Sequence, residues 1–166
     1  MLERVAVGFD GSAPSRRASD YAVEVAGRFA ARLTLLIVRP DRGPPVDPRL
    51  ENLVPGSEDG RPIAGVIEEV CDQARASGAR SVEVVYLTGD AVEEIVRWAR
   101  RHPQDLLVVG SRGLSPGRRV LLGSVSAGLV ARASCPVLVV RGPHVGRPVP
   151  RAGKGRSVGG AARVRT

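Results

Sequence analysis

Short apolar runs and longer amphipathic segments alternate along the chain. Five runs of four to six residues are rich in Val, Leu and Ile, and most contain no polar residue. Continuous runs of this kind are typical of strands covered on both faces, as in a parallel sheet. They occupy residues 5–9, 33–38, 82–86, 106–109 and 137–140.

The segments between the runs have the three- and four-residue apolar spacing of α-helices. Pro14 suits the first turn of the first helix, and Asp90 with Glu93 predicts a capping box for the third. We expect Ser124 to cap a fourth helix that runs to about residue 133. The predicted inner faces are Ala18, Ala22, Val25, Ala26 and Phe29; Ile63, Val66, Ile67, Val70 and Ala74; and Val92, Ile95, Val96 and Ala99.

This alternation predicts an α/β fold: a single doubly wound, Rossmann-like parallel sheet of five strands with helices on both faces and right-handed crossovers. We assign residues 1–142 to this domain. Residues 40–60 form a long loop rich in Pro, Gly and Asp, either functional or disordered. Residues 143–166 form a basic tail, which we expect to be disordered. In such sheets ligands bind beyond the carboxyl ends of the strands, near the topological switch point.

Composition and charge narrow the function classes. Aromatic residues make up 3% of the chain, which disfavours a platform that stacks single-stranded nucleic acid. The net charge is +8, but six of these positive charges lie in the tail, which has no acidic residue. We therefore do not expect nucleic acid as a partner, although weak binding through the tail stays an alternative.

We find no targeting signal and no metal-binding motif in the sequence. The chain shows no signal peptide and no apolar run of about 18 residues, so we expect a cytoplasmic protein and no membrane partner. Cys71 and Cys135 form no CxxC pair, and we expect two reduced, buried thiols. His102 and His144 have no ligand at metal-binding spacing, so no metal site is predicted.

The segment after the fourth strand, residues 110–126, has the composition of a phosphate site. Gly110 and Gly113 allow backbone N–H groups to approach a ligand closely. Residues 123–124 open a helix whose N-terminus favours an anion, and Ser124 and Ser126 add hydroxyl groups. Arg112, with two further arginines at positions 118 and 119, adds positive charge. An alternative is that the glycines only shape a loop and a helix cap. The segment matches neither a Walker A loop nor a G-x-G-x-x-G fingerprint.

The spacing of Gly110, Gly113, Gly123 and Ser124 resembles the G-2x-G-9x-G-S motif of the ATP-binding subgroup of the universal stress protein family. Residues 7–12 (VGFDGS) look like the first strand and turn of that family. Residues 123–126 (GSVS) and 135–140 (CPVLVV) are similar to its last helix and strand. The resemblance covers about residues 4–141.

The resemblance implies an adenine-nucleotide-binding fold and a set of contacts. Asp10, Val38 and Val109 would contact the nucleoside. Some nucleotide-binding relatives carry proline where this chain has Gly8. The phosphates and ribose would meet Gly110, Gly113, Gly123, Ser124, Val125 and Ser126, with Arg112 nearby. The ligand would be ATP or another adenine nucleotide, with or without Mg²⁺. The family also implies a homodimer that pairs through residues 137–140.

These features favour a nucleotide-dependent stress-response regulator and not an enzyme. Apart from Asp10, no carboxylate is placed to orient a water molecule, and no catalytic triad or metal clamp can be assigned, so we predict no catalytic residue. A slow ATPase or nucleotide hydrolase stays the alternative.

Overall fold

The structure is a computed structural model, which describes residues 2–41, 62–111 and 122–141. Its elements are β1 (Arg4–Gly8), α1 (Ala13–Phe29), β2 (Arg32–Arg39), α2 (Ile63–Ala76), β3 (Ser81–Thr88), α3 (Ala91–Arg101), β4 (Leu106–Gly110), α4 (Ser124–Arg132) and β5 (Val137–Val140). The predicted loop lies almost entirely outside the described residues, and the tail does so completely.

The strands form one parallel five-stranded sheet in the order β3-β2-β1-β4-β5. This confirms the predicted fold class. The chain moves outward from β1 to β3 and then returns to place β4 on the other side of β1. The topological switch point therefore lies between β1 and β4.

The helices cover both faces of the sheet. Side chains of α1 and α2 pack with Val5, Val7 and Phe9 of the β1 region in one core. Side chains of α3 and α4 pack with Ala6 and Leu107 in the other. Successive side chains of a strand point to opposite faces, so the continuous apolar runs of β1 and β4 feed both cores.

The inner faces predicted from helical spacing are buried with few exceptions. Phe29 is one, because it is 52% exposed and the buried face of α1 ends at Ala26. The helix stops at Phe29, and Ala30 turns into the left-handed region with φ 47°. Its last side chain therefore lies past the surface that packs on the sheet.

Of the two predicted caps, that of α3 is confirmed in part and that of α4 is wrong. Asp90 caps α3 as predicted, accepting hydrogen bonds from Val92 N and Glu93 N at 3.0 Å each. The Glu93 carboxylate instead accepts a hydrogen bond from Arg132 of α4 at 2.7 Å, so the capping box is only half confirmed. Ser124 is the first helical residue of α4, and Gly123 is its N-cap.

The two thiols differ in burial. Cys71 is buried, as predicted, whereas Cys135 is only half-buried, contrary to the prediction. Both thiols are free. Burial raises the pKa of each thiol.

Candidate functional site

The carboxyl ends of β1 and β4 form the floor of the candidate site. β1 leads directly into Phe9 and Asp10, and β4 ends at Gly110 and is followed by Ser111. The helices α1 and α4 both begin at this edge of the sheet. Two helix N-termini, each the positive end of a helix dipole, therefore meet at the switch point.

The N-terminus of α1 is already capped. The Asp10 Oδ1 atom accepts hydrogen bonds from the Ser12 N–H at 3.0 Å and from the Ser12 hydroxyl at 2.6 Å. Ser12 in turn accepts a hydrogen bond from Ser15 N at 3.3 Å as the N-cap of the helix. This network fixes the half-buried Asp10 carboxyl at the mouth of the crevice. It also means that Asp10 has a structural role in the turn.

The N-terminus of α4 has no comparable cap. Its N-cap is a glycine, no side chain caps it, and its first turn contains no acidic residue. The backbone N–H groups of Ser124, Val125 and Ser126 have no acceptor within the helix, because the first turn of any α-helix lacks one. Ser124 and Val125 are also exposed. This end of α4 therefore offers backbone donors and a positive potential to an anion.

Hydrogen bonds to Ser111 hold the start of α4 against β4. Gly123 N donates to Ser111 O at 2.6 Å. The Ser126 hydroxyl lies 3.1 Å from Ser111 O and 3.0 Å from Gly123 O, and the residue is 2% exposed. The Ser126 hydroxyl is thus turned to the protein backbone.

Gly110 has a packing role that the sequence did not reveal. A Cβ atom at this position would lie 2.7 Å from the carbonyl carbon of Pro14 and 2.8 Å from its oxygen. Real Cβ atoms do not approach backbone this closely. Glycine is therefore required where the end of β4 meets the first turn of α1, whether or not a ligand binds.

The two predicted nucleoside residues Val38 and Val109 lie on the same side of the sheet. Both pack with the core under α3 and α4. Gly8 lies between them in the sheet order, and a Cβ added to it would be 3.4 Å from Val109 Cγ1. The same Cβ would lie 3.8 Å from Ile95 Cδ1, so position 8 faces the side chains of β4 and α3. Arg112 and Gly113 lie outside the described residues.

Fold and site together define a doubly wound parallel α/β protein with a candidate ligand crevice at its switch point. Residues 1–141 match the universal stress protein family. The universal stress protein Rv1636 of Mycobacterium tuberculosis is 34% identical over 140 residues, which cover 82% of this chain and 94% of the relative. This chain belongs to the universal stress protein family.

Two solved structures are similar to this chain and have bound nucleotides. One is a universal stress protein in complex with cAMP, with 32% identity, a TM-score of 0.66, and coverage of 84% of this chain and 97% of the other. The second is a universal stress protein family protein from Arabidopsis thaliana with AMP bound, with 25% identity, a TM-score of 0.59, and coverage of 89% and 97%.

No helix within the described residues has the length and apolar character needed to cross a membrane.

Proposed function

We propose that the switch-point crevice binds an adenine nucleotide, with ATP as the leading ligand, and that the protein acts in the cytoplasm as a nucleotide-dependent stress-response regulator. The main observation that supports the proposal is the uncapped N-terminus of α4. Of the two helix N-termini at the switch point, that of α1 is capped by Ser12 and bordered by Asp10, whereas that of α4 has neither a side-chain cap nor a carboxylate. The similar proteins with bound cAMP and AMP support an adenine nucleotide.

The proposed contacts divide into two halves. The phosphates lie against the N–H groups of residues 124–126 and the Ser124 hydroxyl, with Gly113 and Arg112 completing the segment. The nucleoside lies against Val38, Val109 and Asp10. Mg²⁺, where present, accompanies the phosphates.

Replacing Ser124 with glutamate tests the phosphate half. Glu is favourable in the first turn of a helix, so the variant should fold. Its carboxylate would repel the phosphates by about 2 kcal/mol at roughly 5 Å and an effective dielectric constant of about 30, which corresponds to about thirtyfold in Kd. Titration calorimetry should show this loss for ATP and little change for adenosine.

The matched control is Ala127→Glu, since Ala127 is exposed on the same helix one turn further on. It adds the same charge at a residue whose N–H already donates to Gly123 O at 2.9 Å. Its effect on ATP binding should be several times smaller. Equal losses in both variants, or none in Ser124→Glu, would contradict the assignment of the phosphates to this helix end.

We propose that the nucleotide is bound without turnover. The carboxylate at the crevice, Asp10, uses Oδ1 for two hydrogen bonds to Ser12, and it is the only acidic residue directly after β1 or β4 in the described part of the chain. Phosphate release with ATP and Mg²⁺ should not exceed the buffer rate. Phosphate release by the wild type above the buffer rate, if Asp10→Ala abolishes it, would instead establish the slow hydrolase.

We also propose a homodimer that pairs through β5. This strand lies at the edge of the sheet, where unpaired backbone groups can pair with a second chain. Leu138 on β5 is 37% exposed and Val130 on α4 is 52% exposed. Pairing would cover this edge.

A further inference from the structure

A shallow cavity lies between the outer face of α3 and the C-terminal end of α4. Its volume is about 220 Å³. The α3 residues at positions 93, 97, 100 and 101 follow the four- and seven-residue spacing of one helix face. The lining residues, here called the arginine groove, are Glu93, Val96, Arg97, Arg100, Arg101 and Arg132.

The groove has more positive than negative charge. Four guanidinium groups line it with one carboxylate, that of Glu93, which pairs with Arg132 at 2.7 Å. This pairing lowers the pKa of Glu93, so the carboxylate is ionised at neutral pH. Arg97 pairs with Glu94 on its own helix. Among residues 2–41, 62–111 and 122–141, Arg100 and Arg101 have no acidic partner.

The helix dipole accounts for only part of this charge. Arg100 and Arg101 lie in the last turn of α3, where the negative end of the dipole favours cations. That end is equivalent to about half an elementary charge, whereas two guanidinium groups have no acidic partner in the described part of the chain. A net positive charge is left on the surface of the groove.

We propose that the arginine groove is a second anion site, which binds a compact ligand with two or more negative charges, of the diphosphate class. Guanidinium groups hold phosphate oxygens through paired N–H donors, and two of the four that line the groove have no acidic partner among the described residues. The volume is below the roughly 300–1,000 Å³ of pockets for drug-sized ligands. The groove therefore fits a diphosphate group better than a complete nucleotide.

The groove is separate from the switch-point crevice. Arg132 is the last residue of α4 and Ser124 is the first. A rise of 1.5 Å per residue places them about 12 Å apart along the helix axis. The two anion sites would therefore bind their ligands independently. A substitution at one end of α4 can then be tested while the site at the other end is kept.

Trp98 provides a local readout. It is the only tryptophan of the chain, lies on α3 between Arg97 and Arg101, and stacks on His102 with ring centroids 4.9 Å apart. Titration of the full chain with inorganic pyrophosphate at low ionic strength should change its fluorescence with saturation. In the double variant Arg100→Ala, Arg101→Ala, we expect Kd to rise about tenfold, as for the loss of two exposed charge contacts.

The control is the double variant Arg28→Ala, Arg75→Ala, which removes the same charge from α1 and α2 on the opposite face of the sheet. Its Kd should stay within twofold of the wild type, as should that of Ser124→Glu. An unchanged Kd in the groove variant, or an equal rise in the control, would overturn the proposal. A groove that binds duplex DNA but shows no saturable pyrophosphate signal would also overturn it.

Discussion

Asp10 illustrates how one residue can satisfy both a structural and a binding interpretation. Its Oδ1 atom organises the turn into α1 through Ser12, and nothing in that network requires a charge. An asparagine would keep an oxygen acceptor at the same place. A ligand that depends on the charge of the carboxylate would nevertheless bind more weakly.

We therefore predict that Asp10→Asn keeps the thermal stability of the wild type within about 0.5 kcal/mol and weakens ATP binding about tenfold, since a hydrogen bond to a charged group contributes about 1.5–3 kcal/mol. Asp10→Ala should weaken binding and also lower the unfolding free energy by about 1 kcal/mol, because Ser12 loses its acceptor. Thermal unfolding and calorimetry measure the two effects. If Asp10→Asn binds ATP normally, Asp10 belongs to the turn alone.

Gly110 gives a second prediction at the residue scale. Gly110→Ala should lower the unfolding free energy by about 1–3 kcal/mol, because the new Cβ would overlap the backbone of Pro14. The control is Gly65→Ala on α2, where a Cβ meets nothing within 4 Å. That change should raise stability by up to about 1 kcal/mol through helix propensity. Urea denaturation of both variants checks this, and a neutral Gly110→Ala would contradict the close approach.

At the scale of elements, apolar spacing predicted the strands and helices because burial on the sheet decides both. It could not predict contacts between elements. The partner of Glu93 is Arg132, which is 39 residues away and belongs to another helix. The requirement for glycine at position 110 likewise arises from Pro14, which only the folded chain brings near. Residue type and local spacing do not predict such pairs.

The start of the sheet offers a prediction on pH. The Asp105 carboxylate accepts hydrogen bonds from the backbone N–H groups of Glu3 at 2.8 Å and Arg4 at 2.9 Å, joining the starts of β1 and β4. These bonds hold the pKa of Asp105 below its ordinary value of 3.8. The charged carboxylate is therefore favoured in the folded state. It stabilises the folded protein above the ordinary pKa, and this stabilisation is lost as the pH falls through the lowered pKa.

Asp105→Asn should therefore cost roughly 0.5 kcal/mol of unfolding free energy at neutral pH, a small value because the pair is exposed. The difference from the wild type should shrink as the pH falls below about 4. Urea denaturation at several pH values measures it. A difference that is constant or grows in acid would contradict the hydrogen-bonding role of the carboxylate.

At the scale of the whole molecule, the βα alternation predicted a doubly wound parallel sheet, but it did not predict the strand order β3-β2-β1-β4-β5, which places the switch point between β1 and β4. The sequence predicted that ligands gather at the carboxyl ends of the strands, and the family motif pointed to the β4 segment. It did not indicate that one helix N-terminus at that edge would be capped and the other left uncapped. That difference depends on where the Asp10 and Ser12 side chains turn.

The dimer is tested at the same scale. Leu138→Lys places a charge on the exposed face of β5. The dimer interface would bury this charge without a partner, which is costly, so light scattering should show a monomer. Tyr21→Lys on α1, where Tyr21 is 50% exposed, is the control and should leave the dimer intact. A dimeric Leu138→Lys protein would place the interface elsewhere.

The central claim is that an adenine nucleotide binds with its phosphates at the N-terminus of α4. The most direct test is titration of isotope-labelled protein with ATP while the backbone amide signals are followed. We predict that the amides of Ser124, Val125 and Ser126 shift together with those of Gly8 and Asp10, along one saturating curve. No saturable shift at the start of α4, or shifts confined to residues 97–101, would contradict the account.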